Sequence, residues 1–330
     1  MRVWYDACTG KHVRYGVAIA KRLREKGHEV ILTTRRHPDT VSLATLLKEN
    51  FIVVGKYDPK SPMSRLRESL KRQLFFCKMF EKGVPDVAVS HRSVELCRVA
   101  FGLGIPNIST HDTVHAEAVN RLTMPLIDFL VVSKALPKSS VEGYGIKKIF
   151  WFNGVDEVAW IKGFKPEVKY DYAKPLIVVR QLETKATYAR NKSDWTKTLA
   201  KKLTSIGNVL FLPRYRKRHI KGLIIPTEFV DSASLVSQAD LVISAGGTIS
   251  REAALQGVPA IVVESFEKLY VNDYLAVKGF PIFTVKNPSD ALSYAKKLLG
   301  KKWDVKELLN KLENPINVIE RIIEKEIKGR

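Results

Sequence analysis

Cysteine is scarce in this sequence, which has only Cys8, Cys77 and Cys97 among its 330 residues. Three scattered thiols are too few for a disulfide framework and lack the spacing of a zinc site. Long apolar runs are missing too: none approaches the roughly 20 residues of a spanning helix. The first residues also lack the basic and then apolar pattern of a signal peptide. We therefore expect a cytoplasmic protein with neither a disulfide framework nor structural zinc.

Acidic residues are too few to balance the basic ones. The chain has 34 Asp and Glu against 55 Lys and Arg, and its formal net charge is +21. Both halves of the sequence are basic, so the excess is not confined to one tail. Such a charge favours anionic partners, namely nucleotides, nucleic acid or an anionic membrane face. A general contribution to solubility is the alternative.

Apolar segments alternate with amphipathic helical segments along the chain. The pattern occurs twice, once up to "FLVVS" and again from "PLIVVR" onwards. A single core rarely grows beyond roughly 250–300 residues, so a chain of this length indicates two domains. Strands that alternate with helices indicate parallel sheets covered by helices. We therefore predict an α/β protein with two doubly wound, Rossmann-like domains: residues 1–152, and residues 153–330 including a C-terminal helix after Pro315.

The stretch "SAGGTISREAALQG" joins a strand to a helix through two glycines. Gly246 and Gly247 let backbone approach a ligand, and Thr248 adds a hydroxyl where the helix begins. The N-terminus of a helix favours a phosphate. Glu252 would accept hydrogen bonds from a vicinal diol such as ribose. The pattern thus predicts a nucleotide-diphosphate site, and the alternative is a tight turn followed by a solvated glutamate.

At this point the sequence resembles a microbial family of uncharacterised proteins with the GT-B fold. The resemblance is carried in order by "YDACTGKHVRYGVAIAKRLREKGHEVILTTR", "DVAVSHRSVELCRVAFGLGIPNISTHDTVHAEAVNRLTMPLIDFLVVS" and "FVDSASLVSQADLVISAGGTISREAALQGVPAI". That family is similar to the N-acetylglucosaminyltransferase of the lipid-linked peptidoglycan precursor and to the non-hydrolysing UDP-N-acetylglucosamine 2-epimerase. The resemblance implies a GT-B-like fold, in which two Rossmann-like domains face each other across a cleft.

The resemblance also implies roles in the second domain. Gly246, Gly247, Thr248 and Glu252 match the positions that hold the donor's phosphates and ribose in the transferase. Asn272 and Asp273 match a polar pair that touches the donor sugar, and "FVDSASL" matches the segment that recognises the base.

In the first domain, the resemblance places "HDT" where the transferase has a His–Glu pair. It places "TGKH", which ends in His12, where the transferase has a turn with several glycines, although Gly10 is the single glycine here. Histidine titrates near neutrality and suits general base catalysis, so His111, His12 and Asp112 are the predicted catalytic residues. A structural role is the alternative for each histidine. No metal or cofactor is expected, because GT-B enzymes stabilise the leaving diphosphate with helix dipoles and basic side chains.

Several other polar residues follow predicted strands. Arg180 and Arg214 are predicted to contact a diphosphate, and the alternative is a solvated or structural ion pair. Asp6 would point into the cleft or cap a helix. Lys185 and Tyr188, in the loop after Arg180, are weaker candidates for the same site.

Two basic segments are candidates for binding larger partners. The run "RYRKRHIK" would bind a polyanion or form a solvated loop. Residues 64–83 form a basic and apolar helix in which Leu66, Leu70, Leu74 and Phe75 suit a core stripe. This helix is either buried in the first domain or lies weakly on an anionic membrane, which would make the protein peripheral on the inner face.

Three functions are compatible with these features. The first is a glycosyltransferase that uses a nucleotide-diphosphate donor, which we expect to be a UDP-sugar, and an acceptor that is lipid-linked, anionic or RNA. The second is a non-hydrolysing UDP-N-acetylglucosamine 2-epimerase. The third is a nucleic-acid or anionic-surface binding protein, which the net charge favours but no basic motif with interleaved aromatics supports.

Overall fold

The computed structural model describes residues 1–184, 194–214, 219–265 and 268–328. The chain divides into two compact units. The first unit consists of Met1–Trp160 together with Glu313–Arg330, and the second consists of Ile161–Leu312. No helix in the described ranges is both long and apolar enough to span a bilayer.

The described part of the first unit contains one parallel sheet. Its strands are β1 Arg2–Ala7, β2 Glu29–Arg36, β3 Ile52–Lys56, β4 Val87–Ser90, β5 Asn107–His111, β6 Phe129–Ser133 and β7 Lys148–Phe152. They lie in the order β3-β2-β1-β4-β5-β6-β7. The order in which successive strands are added to the sheet therefore reverses between β1 and β4. Doubly wound sheets bind ligands at such a reversal.

Helices connect these strands. They are α1 Gly10–Glu25, α2 Pro38–Leu46, α3 Pro62–Met79, α4 Val94–Gly102, α5 Glu117–Thr123 and α6 Val158–Ile161. Strands β4, β5 and β6 are buried along their whole length. Burial on both faces of a parallel sheet explains why such strands read as short apolar runs in the sequence.

The second unit contains a smaller parallel sheet. Its strands are β8 Leu176–Arg180, β9 Asn208–Leu212, β10 Leu241–Ser244, β11 Ala260–Val263 and β12 Ile282–Val285. They lie in the order β12-β11-β10-β8-β9, so the reversal falls between β8 and β10. The helices are α7 Thr196–Leu203, α8 Ser232–Ser237, α9 Thr248–Leu255, α10 Tyr270–Val277, α11 Pro288–Leu298 and α12 Lys306–Asn310.

The C-terminal helix belongs to the first unit, whereas the sequence analysis assigned it to the second domain. Helix α13 runs over Pro315–Ile322 and continues as a π-helical turn over Ile323–Ile327. The Glu320 carboxylate lies 2.6 Å from Nε of Arg22 and 3.2 Å from Nζ of Lys26. The apolar face of α13 is buried in this unit, and the sequence pattern could indicate that face but not the unit it covers.

Helix α3 also differs from one of its two predicted arrangements, the one in which the leucine row is buried in the core. Its buried positions are Glu68, Arg72 and Phe76, so the leucine row predicted as a core stripe is on the opposite, exposed side. The cause is a charge network under the helix. The Arg72 guanidinium lies 2.6 Å from Asp6 and 3.0 Å from Glu95, and its Nε donates to the Val54 carbonyl at 3.0 Å.

Candidate functional site

The glycine turn of the second unit lies between β10 and α9, at the strand-order reversal. A Cβ placed on Gly247 would lie 2.2 Å from Nη1 of Arg251, so a side chain at this position would displace that guanidinium. A Cβ on Gly246 would lie 3.9 Å from Nη2 of Arg214. Two guanidinium groups thus lie beside the turn. Arg214 was predicted from the sequence and Arg251 was not, although its position four residues after Gly247 in a helix was the available signal.

The turn itself is held by serine hydroxyls. The Gly246 N–H donates to Oγ of Ser244 at 3.1 Å, and that hydroxyl is 2.8 Å from Oγ of Ser250. Helix α9 begins at Thr248, which is half-buried, and the preceding Gly247 provides no side-chain cap. An uncapped helix N-terminus beside two guanidinium groups suits an anion.

Arg214 is positioned by the loop that follows β8. Its backbone N–H donates to Oε1 of Gln181, and its Nε donates to the Gln181 carbonyl, both at 2.8 Å. Its Nη1 lies 3.8 Å from Glu183. Arg180 is the last residue of β8, and β8 pairs with β10, so the two strand ends are neighbours in the sheet. The structure therefore brings the predicted arginine loops and the glycine turn to the same sheet edge.

Glu252 is buried in α9 and not solvated. One carboxylate oxygen accepts the hydroxyl of Ser232 at 2.7 Å. Ser232 belongs to the "FVDSASL" segment, at the start of α8, where Asp231 caps the helix by accepting the Ser234 N–H at 3.0 Å. The glutamate and that segment, 20 residues apart in sequence, are thus in direct contact.

The two members of the predicted polar pair in α10 differ in burial and in their contacts. Asn272 is fully buried, and neither Oδ1 nor Nδ2 has a hydrogen-bond partner among the described residues. Asp273 is half-buried and lies 3.7 Å from Nζ of Lys268. A buried amide without a partner costs free energy, so an unexplained one in a native fold points to a ligand or water.

In the first unit, His111 ends β5 and is fully buried. Within the part of the chain that the structure describes, neither ring nitrogen has a hydrogen-bond partner. Burial, followed by the nearby Arg92 guanidinium, holds the pKa of His111 well below its usual value, so the ring is neutral at pH 7. Arg92 itself contacts the Asn120 side chain and has a left-handed φ of 51°.

His12 lies in the first turn of α1 and is partly buried. Its Nδ1 accepts the Cys8 N–H at 3.3 Å, which assigns the proton of the neutral ring to Nε2. Its ring packs edge to face against His91, with centroids 4.8 Å apart. Burial, then His91 and Lys11, lower the pKa of His12 well below its usual value.

Asp112 belongs to a charge cluster that the sequence analysis did not identify. Nζ of Lys11 lies 2.6 Å from Asp112 and 2.9 Å from Asp156. The His91 Nε2 lies 3.0 Å from Asp112, and its Nδ1 lies 2.6 Å from Oγ1 of Thr110. The members are separated by up to 145 residues, so no local motif could reveal the cluster.

The cluster could be mistaken for a metal site. One ligand atom each from His91, Asp112 and Asp156 lies within 4.8 Å of the others. However, the Lys11 ammonium lies between the two carboxylates and compensates their charge. The arrangement is suited to moving or holding protons, because histidine and carboxylates within hydrogen-bond distance can exchange them.

Some predicted residues do not join either site. Asp6 is fully buried, pairs with Arg72 and accepts the Ser93 hydroxyl at 2.5 Å, so it stabilises the core. Lys185 and Tyr188 lie outside the described residues, as do residues 215–218 of the basic run.

A family model described as "Protein of unknown function (DUF354)" matches residues 1–328 of the chain. An uncharacterized protein of Methanocaldococcus jannaschii is 32% identical over 325 residues, which are 93% of this chain and 94% of that protein. The UDP-N-acetylglucosamine–N-acetylmuramyl-(pentapeptide) pyrophosphoryl-undecaprenol N-acetylglucosamine transferase of Thermus thermophilus is 26% identical, over 79% of each chain.

Solved structures show the same fold at low sequence identity. A putative UDP-N-acetylglucosamine 2-epimerase from Listeria monocytogenes has a TM-score of 0.69 at 13% identity, over 100% of this chain and 97% of the other. The glycotransferase of kitacinnamycin has a TM-score of 0.64 at 12% identity, over 98% of each chain. The predicted GT-B-like fold, built from two Rossmann-like domains, is confirmed.

Proposed function

The chain belongs to the DUF354 family of proteins of unknown function, and on that premise we propose that it is a glycosyltransferase with a nucleotide-diphosphate sugar as donor. The second unit binds the donor, which we take to be a UDP-sugar. The first unit supplies the acid–base groups. The acceptor is left open among lipid-linked, anionic and RNA hydroxyl compounds, and we place the reaction in the cytoplasm.

One observation carries the proposal: the Arg214 and Arg251 guanidinium groups lie beside the glycine turn that opens α9. A diphosphate carries charge that such groups neutralise with paired hydrogen bonds. The same groups would stabilise the additional charge that forms on the leaving diphosphate during sugar transfer. Arg180, at the end of the neighbouring strand, is proposed to contribute in the same way.

Glu252 and Asn272 extend this site to the rest of the donor. The Glu252 carboxylate already accepts the Ser232 hydroxyl, so it can accept the hydroxyls of a ribose in that place. Asn272 has an unsatisfied buried amide that a sugar hydroxyl would satisfy. We assign Asp273, next to it, a second contact with the donor sugar.

Transfer requires a group that removes the proton from the acceptor hydroxyl. His111, His12 and Asp112 are proposed for this chemistry. The lowered pKa values of the two histidines keep both rings neutral at pH 7, which is the state a base needs. His111 has no hydrogen-bond partner on its ring nitrogens among the described residues, so it is the first choice for the base. His12 is the rival, and it would act as a base only after its Nδ1 releases the Cys8 N–H. Asp112 is positioned by Lys11 and His91. No metal or cofactor is included, because the Lys11 ammonium compensates the charge of the carboxylates.

An epimerase on the same nucleotide sugar is the second candidate. It is favoured by the cluster of His91, Asp112 and Asp156, because epimerisation needs two groups that remove and return a proton. Incubation of UDP-N-acetylglucosamine without any acceptor, in D₂O, separates the two. Deuterium at a sugar carbon with formation of an epimer supports the epimerase, whereas an unchanged sugar supports the transferase.

A thermal-shift titration tests the donor site itself. A ligand that binds only the folded state raises stability, by about 2.7 kcal/mol at a hundredfold excess over Kd. UDP and UDP-sugars should raise the melting temperature, and uridine and adenosine should not. If no nucleotide diphosphate changes it at millimolar concentration, the proposed donor site is wrong.

A further inference from the structure

The outer face of helix α3 carries a row of apolar side chains in solvent. Met63, Leu66, Leu70 and Leu74 share this face by helical spacing and are 50–65% exposed. It lies opposite the row of Glu68, Arg72 and Phe76, which is buried. Single exposed apolar residues are ordinary, but a contiguous row of this kind marks an interaction surface.

The exposure of this row is enforced by what lies under the helix. Arg72 is 1% exposed and is held by Asp6, by Glu95 and by the Val54 carbonyl. Its aliphatic part lies across Gly55, where a Cβ would be 2.8 Å from Cγ of Arg72. Rolling the helix to bury the leucines would break these buried ion pairs, which would cost several kcal/mol.

The charge beside the row has one sign. Arg67, Lys71 and Lys78 are exposed and follow the leucine row along one flank of the helix. The acidic residue of α3, Glu68, is buried and pairs with Lys71 at 3.0 Å. Phe101 and Leu103, at the end of the neighbouring α4, are exposed as well.

We propose that this face of α3 docks the protein on an anionic lipid bilayer, with the leucine row among the acyl chains and the basic flank at the headgroups. An amphipathic helix with these two features lies in the plane of a membrane interface. The charge argues for lipid over a second copy of the chain, because two copies of the face would place basic flanks against each other. The docking is independent of the proposed sugar transfer.

Co-sedimentation with vesicles, in the absence of nucleotide, tests this docking. The full chain should bind vesicles of phosphatidylglycerol and phosphatidylcholine at low salt and should bind pure phosphatidylcholine at least about tenfold more weakly. Binding should fall in 0.5 M NaCl, because salt of that strength screens exposed charges.

Two triple variants separate the apolar and charged contributions. Leu66→Gln/Leu70→Gln/Leu74→Gln and Arg67→Gln/Lys71→Gln/Lys78→Gln should each weaken binding by about tenfold or more. Lys201→Gln/Lys202→Gln/Lys296→Gln, on exposed positions of the second unit, is the matched control for net charge and should bind like the wild type. Val277→Gln, at a residue that is 87% exposed, is the matched apolar control.

Three outcomes would overturn the proposal. The first is equal binding of the wild type to anionic and neutral vesicles, or none to either. The second is wild-type binding by the leucine variant. The third is a wild-type dimer that the leucine substitutions convert to monomer in sedimentation velocity, which would assign the face to a second copy of the chain.

Discussion

The hydroxyl of Ser232 donates to the carboxylate of Glu252 over 2.7 Å, and this bond joins α8 to α9. It holds a buried carboxylate at the position where the sequence predicts a ribose contact. A serine hydroxyl is a modest partner that a ligand hydroxyl can replace. The bond therefore keeps the carboxylate oriented before the nucleotide binds.

Glu252→Gln should weaken nucleotide binding. Hydrogen bonds to a charged group contribute about 1.5–3 kcal/mol each, so we expect about tenfold to a hundredfold lower affinity for UDP in calorimetry. Ser232→Ala should change affinity by only a few-fold, because the ribose replaces its hydroxyl. Glu307→Gln, at an exposed acid of the same unit, is the control. Unchanged affinity of Glu252→Gln for UDP would show that this stretch is only a strand–helix turn.

Gly247→Ala should disturb the anion site without unfolding the protein. Its φ of −87° and ψ of −62° suit alanine, but the new Cβ would lie 2.2 Å from Arg251 and displace the guanidinium. We expect a melting temperature within a few degrees of wild type and an affinity for UDP at least about tenfold lower. Gly246→Ala is the matched control, because its Cβ would make only an ordinary contact with Arg214, at 3.9 Å. Equal losses in both variants would contradict a role for Arg251.

Asn272→Ala should separate stability from binding. The amide is buried and unpartnered, so its removal should leave the melting temperature unchanged or slightly higher. Affinity for a UDP-sugar should fall, whereas affinity for UDP should stay within a few-fold, since only the sugar contact is lost. Asp273→Asn tests the half-buried neighbour in the same assay. A large loss of stability in Asn272→Ala, with no effect on binding, would show that the amide is structural.

Acidification should destabilise the first unit through its buried histidines. The pKa values of His111 and His12 are lowered on folding, so below about pH 6.5 the unfolded chain binds protons that the folded chain does not. The free energy of unfolding should therefore fall with decreasing pH, by up to about 1.4 kcal/mol per pH unit for each histidine.

Urea titrations between pH 5 and pH 7.5 measure this dependence. His111→Asn should reduce the slope, because one of the two groups no longer titrates. His219→Asn, at an exposed histidine of the second unit, should leave the slope as in wild type. An unchanged slope in His111→Asn would show that His111 is not protonated on unfolding in this range.

The sequence predicted most of the fold because parallel strands buried on both faces appear as short apolar runs. The runs "FLVVS" and "LIVVR" are β6 and β8 of the structure. Strands β3, β7 and β12 escaped prediction, since they are less buried than the central strands. The apolar run "GLIIP" predicts a strand as well, but it contributes only an isolated bridge between Ile224 and Leu210.

The two candidate sites differ in how far apart their residues lie in the sequence. The glycine turn and Glu252 lie within a few residues, so chain geometry alone could place them together. Lys11, Asp112 and Asp156 meet only through the sheet, and no spacing rule links them. Of the two alternatives for α3, the buried leucine stripe was wrong because helical periodicity was interpreted by hydrophobicity alone, whereas paired charges, Arg72 with Asp6, occupy the interior.

The return of α13 to the first unit has a consequence for folding during synthesis. The ribosome produces the whole of Ile161–Leu312 before it produces the residues that complete the first sheet's packing. The second unit can therefore fold as a continuous segment. Arg22 and Lys26 form their ion pairs with Glu320 only after that residue, nearly 300 positions later, has been synthesised. The nascent first unit exposes the apolar surface that α13 later covers while residues 161–312 are synthesised, and chaperones that bind such surface would contact it during that interval.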